Sequence, residues 1–230
     1  MRRRPADLIN KSLFILVFLF FFCPNLFAQD IKYFFKKLPE SYIEDLNERA
    51  KDSLLDGKNF YPPGNDSEEV VVYKLEELDL KKNFLRIGMT YETGQRASMV
   101  FELRSFKTTG GNAIVIFSNV SSVPHESTQN SLTVFSYNQS KRLRVIKSLG
   151  LIEKPGIKYF MKDNTPDSVI KKYNNFSSTV YELGYKGDIS LMSESNTEVN
   201  KKDESWFLGN VIKFVWSGDH FIRQKPFFEN

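Results

Sequence analysis

The chain is poor in the residues that carry redox and metal chemistry. Its 230 residues include one cysteine, Cys23, and two histidines, His125 and His220. A single cysteine cannot build an internal disulfide framework. Cys23 also lies in the N-terminal apolar segment, so residues 29–230 contain no cysteine. That leaves no thiol nucleophile and no cysteine-ligated metal in that part of the chain. Neither histidine has a partner at a ligand spacing such as His-Glu-x-x-His. The expectation is no transition-metal site and no cofactor. An ion would need oxygen ligands, which suits Ca²⁺ or Mg²⁺.

Catalytic motifs are also missing. There is no Gly-x-Ser-x-Gly elbow and no phosphate-binding glycine loop. Ser217, Asp219 and His220 supply the letters of a hydrolase triad. Crowded into one turn, they cannot orient one another across a site, and turn chemistry accounts for them. The doublets Glu68-Glu69 and Glu76-Glu77 are adjacent in sequence. On a strand, neighbours point to opposite faces, so neither doublet aims two acids at one bond. The chain therefore reads as a non-enzyme, with a carboxylate-based hydrolase as one alternative.

A long hydrophobic run is absent as well. Leu13 to Cys23 is an apolar stretch of 11 residues, whereas crossing a bilayer takes about 20. Arg2, Arg3, Arg4 and Lys11 precede or enter it, Pro24-Asn25 break it, and Leu26-Phe27-Ala28 offers a small residue at a cut. This is the pattern of a secretory signal over residues 1–28. It predicts a mature protein starting near Gln29, exported to the periplasm or beyond, with no membrane span after cleavage. Phe22 stands where lipoprotein processing wants a small residue before the cysteine. Charge of one sign is lacking too. Residues 29–230 hold 28 basic and 27 acidic residues, a net of +1. Without a basic stripe, nucleic acid is not an expected partner.

What is present is alternating pattern. Asp30 can cap a short helix over Ile31–Lys37, and Pro39 suits the start of a second. Ile43, Leu46, Ala50 and Leu54 recur at helical spacing up to Gly57, a natural stop. From Val70 the period becomes two. Leu85, Ile87, Met89 and Tyr91 alternate with Arg86, Gly88 and Thr90, and Met99, Phe101 and Leu103 alternate with Val100, Glu102 and Arg104. Such strands are expected to be half-buried. Ala113–Phe117 is apolar on both faces and reads as a central strand; Leu132–Tyr137 and Leu143–Ile146 continue the sheet. After Pro155, Thr165 can cap a helix begun by Pro166. Val180–Leu183, Ile189–Met192, Val211–Trp216 and Phe221–Arg223 read as strands, and polar Ser193–Ser205 as a mobile loop. Short spacings favour antiparallel pairing. The fold class is α+β, helices on one face of antiparallel sheet.

Two stretches look alike. Ile31-Lys32-Tyr33-Phe34-Phe35-Lys36 matches Ile157-Lys158-Tyr159-Phe160-Met161-Lys162 at five of six positions. Val72–Leu75 likewise matches Val180–Leu183, and Gly111–Ile114 matches Gly209–Ile212, in the same order. This suggests two related helix-plus-sheet units, 29–150 and a shorter 151–230. In element order, tandem helix-plus-four-strand units resemble the beta-lactamase inhibitory protein architecture. That resemblance implies a protein partner held on an open sheet face. The leader ending in Phe27-Ala28-Gln29, followed by Ile31-Lys32-Tyr33-Phe34-Phe35, resembles uncharacterised secreted proteins of Bacteroidetes-type bacteria.

The expected function is thus an exported, non-catalytic binding protein recognising another protein. The expected surface is the polar sheet face bearing Arg86, Glu102 and Arg104, joined by Lys213 and Arg223 from the second unit, with Phe84, Phe106 or Tyr137 exposed among them. Residues 29–230 carry many aromatics, most of which a β-rich core absorbs. A carrier for an apolar ligand between sheet and helices is the other alternative.

Overall fold

A computed structural model describes residues 30–63, 70–92, 97–123, 128–138, 142–175, 177–184, 188–195 and 200–229. The leader, His125, Glu68-Glu69 and the turn at Thr93–Gln95 lie outside the described residues. The fold is α+β: the described residues form three short α-helices and two antiparallel sheets of six and four strands.

Helix α1 spans Ile31–Lys37, and the Asp30 side chain accepts from the Tyr33 N–H at 3.0 Å, satisfying one orphan donor of the first turn. The second helix starts later than Pro39 predicts. Glu40–Tyr42 forms a single 3-10 turn, Asp45 takes φ +66°, and α2 spans only Glu48–Leu55. Asn47 decides the start, accepting from the Ala50 N–H at 3.0 Å. Ile43, Leu46, Ala50 and Leu54 are nevertheless all buried. Gly57 at φ +77° closes α2 in a Schellman arrangement, its N–H donating to Leu54 and that of Lys58 to Ser53.

The first sheet runs in chain order: β1 (Val71–Asp79), β2 (Phe84–Tyr91), β3 (Ser98–Lys107), β4 (Ala113–Ser122), β5 (Gln129–Tyr137) and β6 (Leu143–Ile146), each antiparallel to the next. The second sheet has the order β10–β9–β8–β7, built from β7 (Ser177–Glu182), β8 (Ile189–Ser195), β9 (Val211–Trp216) and β10 (Phe221–Arg223). Between the sheets in sequence lies α3, Asp167–Asn174. Thr165 does not cap it. Its hydroxyl is turned back to the Lys162 carbonyl at 2.6 Å, and Pro166 opens the helix with no side-chain cap.

The layers follow from the period of two. One face of the first sheet carries Leu85, Ile87, Phe101, Leu103, Val115, Phe117, Phe135 and Tyr137, packed with Ile31, Phe34, Phe35, Leu46 and Leu54 of the helical segment. The opposite face carries Phe84, Ile114, Ile116 and Val134, packed against Tyr181, Leu191, Ile212 and Phe214 of the second sheet. The first sheet is therefore buried on both faces, which corrects the half-buried expectation for β2 and β3. Phe84 is fully buried and Tyr137 is 5% exposed, so neither is a surface aromatic; Phe106 packs against the inter-sheet core.

The stretch from Ser193 is not one loop. β8 continues through Ser195, and residues 200–206 are tied to α3. Asp203 accepts from Lys172 Nζ at 2.7 Å and from the Tyr173 hydroxyl at 2.9 Å, and that hydroxyl accepts from the Asn200 N–H. The matched stretches share burial but differ in backbone. Ile31 and Phe34 are buried in an α-helix, whereas Ile157 and Phe160 are buried in a 3-10 turn.

Candidate functional site

Three of the five candidate binding residues come together, but at the bottom of the inter-sheet contact. Glu102 is 2% exposed and Arg104 is 6% exposed. Arg86 and Glu102 are cross-strand partners, and the Arg86 guanidinium donates to the Glu102 carboxylate through Nε at 2.8 Å and through Nη2. What covers them is the edge of the second sheet. β7 is the last strand of its sheet, so its outer backbone groups have no neighbouring strand. Such groups, once buried, need partners. Side chains from the first sheet supply them. The Leu183 N–H donates to Glu102 Oε2 at 2.7 Å, and Arg104 Nη1 donates to the Leu183 carbonyl at 2.5 Å. The Tyr181 N–H donates to Asn130 Oδ1 at 3.1 Å, while Ser118 Oγ donates to the Tyr181 carbonyl at 3.4 Å. Four polar side chains thus hold the rim of one sheet on the face of the other.

Electrostatics follow the burial. Desolvation works against the Arg86 charge, but Glu102 outweighs it, and the guanidinium pKa is raised. Desolvation lowers that of Arg104. Glu182, on β7, has its carboxyl pushed up by burial and then by the nearby Glu102 charge. The signal that these residues are internal was present in sequence only as Leu183 and Tyr181 in a short strand; nothing local says which surface they will meet.

Lys213 and Arg223 sit elsewhere, on the second sheet. Lys213 is half-buried, 3.8 Å from Asp188 and over the Phe227 ring. Arg223 is exposed and lies over the Tyr159 ring at 5.9 Å. It lines an open cleft of about 490 Å³ between β10, the segment following it and the 158–163 segment. Lys158, Lys162 and Lys225 share its wall, and Met161, Ile170, Leu208 and Pro226 line it between the charges. Lys158 and Lys162 enter the sequence pattern only through the 157–162 match, and nothing local joins them to Lys225, since the two segments that carry them are brought together only by the fold.

The remaining chemistry-bearing residues are accounted for locally. Ser217 Oγ donates to the His220 carbonyl at 2.8 Å within the β9–β10 turn. Asp219 does not face His220. It accepts from Thr109 Oγ1 at 2.5 Å, as the Trp216 indole N–H donates to the Lys107 carbonyl at 2.8 Å. The β9–β10 hairpin thereby clasps the β3–β4 hairpin. Glu76 is the extra residue of a bulge between Leu75 and Glu77, so strict alternation does not apply to that doublet. The carboxylate of Glu76 occupies the space a side chain would need at Gly88, 2.2 Å from where a Cβ would stand. Among the described residues, no group of three His, Cys, Asp or Glu is arranged to hold a metal. A small apolar pocket of about 120 Å³ opens between Ile157, Tyr173, Phe207 and Phe228. That is well below the 300–1,000 Å³ typical of ligand sites.

No protein-family model matches the chain, and no curated protein matches it. Among solved structures, the chain is similar to a domain of an uncharacterized protein from Porphyromonas gingivalis W83, a Bacteroidetes bacterium. The TM-score is 0.55 at 14% identity, covering 84% of this chain and 97% of that one. At that identity the likeness is one of fold. Among the described residues, no helix is long and apolar enough to cross a membrane.

Proposed function

We propose that the chain is an exported, non-catalytic binding protein that recognises a protein partner at the cleft beside β10. Export rests on the composition of residues 1–28. The observation that carries the binding reading is the character of the cleft wall. Exposed cations share that wall with exposed Leu208 and with half-buried Ile170, Pro226 and the ring of Tyr159, while Met161 beneath them is buried. Protein interfaces combine apolar contact with a polar rim in this way. The alternating face at Arg86, Glu102 and Arg104 is occupied by the protein's own β7, so of the five candidate residues Arg223 is the one placed on this open cleft.

A photocrosslinking residue placed at Lys225 in the exported protein tests this. The expected result is a discrete protein adduct from position 225 and none from a control at exposed Lys81 on the β1–β2 turn. Equal labelling from both positions, or adducts with small molecules alone, overturns the reading.

A further inference from the structure

Residues 29–230 are nearly neutral, yet their positive charge is not evenly spread. The cleft holding Arg223 is continuous with a second depression of about 330 Å³ along α3, the two sharing Lys158 and Ile170. Together they are lined by Lys154, Lys158, Lys162, Lys171, Arg223 and Lys225, with Asp163 as the single acidic group. That is a net of +5 along one groove, against +1 for residues 29–230. All six cations are exposed, and among the described residues none of them is in an ion pair. Elsewhere some charges are paired, Lys36 with Asp52, Lys82 with Asp79, Lys172 with Asp203 and Arg86 with Glu102. Lys74, Lys81 and Lys107 are in no ion pair among the described residues but stand apart from one another, so it is the clustering of six cations that distinguishes the groove. Even Lys171 and Lys172, neighbours on α3, differ in this way. Lys172 is held by Asp203, and Lys171 faces the groove.

A groove of unneutralised like charge repels itself, and an anion relieves that repulsion while its own approach is steered by the field. We infer that the groove takes an acidic, extended segment of a protein partner, an inference that rests on the protein-binding reading above. Two features select a peptide among polyanions. Apolar groups sit between the charges, Pro155 and Ile170 in one part and Leu208 and Pro226 in the other. A peptide offers matching apolar side chains; a sulfated or phosphorylated polymer offers none. Tyr159, the ring in the groove, already carries Lys158 at 5.1 Å and Arg223 at 5.9 Å. It holds cations in place rather than presenting a free platform for a base or a sugar.

The test titrates residues 29–230 with fluorescent peptides and reads anisotropy. An acidic 12-residue Glu/Leu peptide is compared with a Gln/Leu peptide of the same length and with a heparin fragment. The acidic peptide is expected to bind, to weaken as salt screens the groove, and to bind at least tenfold more tightly than the neutral one. The triple variant Lys158→Glu, Lys162→Glu, Arg223→Glu is expected to lose at least tenfold. The milder triple change to Gln, with an unchanged melting curve, guards against misfolding and should lose less. A control triple, Lys74→Glu, Lys81→Glu, Lys107→Glu, changes net charge equally outside the groove and should bind like wild type. Equal losses in control and groove variants, or heparin binding tighter than the peptide, overturns the inference. If the peptide fails while the crosslink at position 225 still captures a protein, the acidic class falls and the protein-binding reading stands.

Discussion

The two faces of the six-stranded sheet solve the same problem differently. The face under α1 and α2 is closed by area: Leu85, Ile87, Phe101, Leu103, Val115 and Phe135 meet apolar helix residues, and each fully buried large side chain contributes about 1.5–3 kcal/mol. The face under the second sheet mixes Phe84, Ile116 and Val134 with Glu102, Arg104, Ser118 and Asn130. The difference lies in what each face meets. A helix arrives with its backbone already hydrogen-bonded internally, so apolar contact supplies most of the closure. It is joined by the Tyr73 hydroxyl donating to the Glu44 carbonyl and by the Tyr33 and Tyr137 hydroxyls bonded to each other. An edge strand arrives with bare N–H and C=O groups, and burying one without a partner costs about 1–3 kcal/mol. The polar side chains on the second face answer that demand.

The comparison breaks most sharply at Glu102. Glu102→Ala leaves both the Arg86 guanidinium and the Leu183 N–H without their acceptor, and should destabilise by about 3–5 kcal/mol in urea unfolding. Replacing the ion pair with Arg86→Met and Glu102→Leu should recover part of the loss. Full recovery would show that the Leu183 N–H does not need Glu102 and that apolar area suffices at this point of the face. The approach of the sheets is tested next at Gly184, where a Cβ would stand 2.5 Å from the Phe84 ring. Gly184→Ala should cost about 1–3 kcal/mol through overpacking. On the helical side, Asn47→Ala removes the cap of α2 and should cost about 1 kcal/mol, without altering peptide binding at the distant groove.

The smallest effect is a pH dependence at Glu182. Burial, then the Glu102 charge, raise its folded-state pKa above its unfolded value. Its contribution to stability is therefore fully present below the ordinary carboxylate range and is lost as pH rises through the raised value. Glu182→Gln should raise the melting temperature at pH 7, and the gain should vanish as pH falls below about 4, the ordinary carboxylate range. A gain that persists undiminished in acid would mean that Glu182 is not the group responsible.

Much of the element list is legible in the residues. Val211–Trp216, Phe221–Arg223, Leu143–Ile146 and α1 appear at the predicted bounds, because alternation and the Asp30 cap are local signals. The late start of α2 was less so. Ile43 and Leu46 keep helical spacing and still face the core, yet Asp45 and Asn47 impose a turn that burial periodicity cannot register. The site was least legible. Arg86, Glu102 and Arg104 have the spacing of a wet sheet face, and a strand covered by an edge strand shows the same alternation as a strand covered by water. The polar residues are needed in both cases.

By itself the sequence determined the α+β class, the antiparallel order of neighbouring strands, the apolar face each strand turns inward, and the absence of cysteine from residues 29–230. Those follow from periods, caps and composition, which act over a few residues. Only the tertiary structure decided which polar face is covered and which cations share a groove. Lys154, Lys158, Lys171, Arg223 and Lys225 are carried by segments far apart in the chain, and their common field exists only once α3 and β10 are brought side by side. The fate of Glu102 was likewise set by a strand some 80 residues further on, whose unpaired backbone needed an acceptor there.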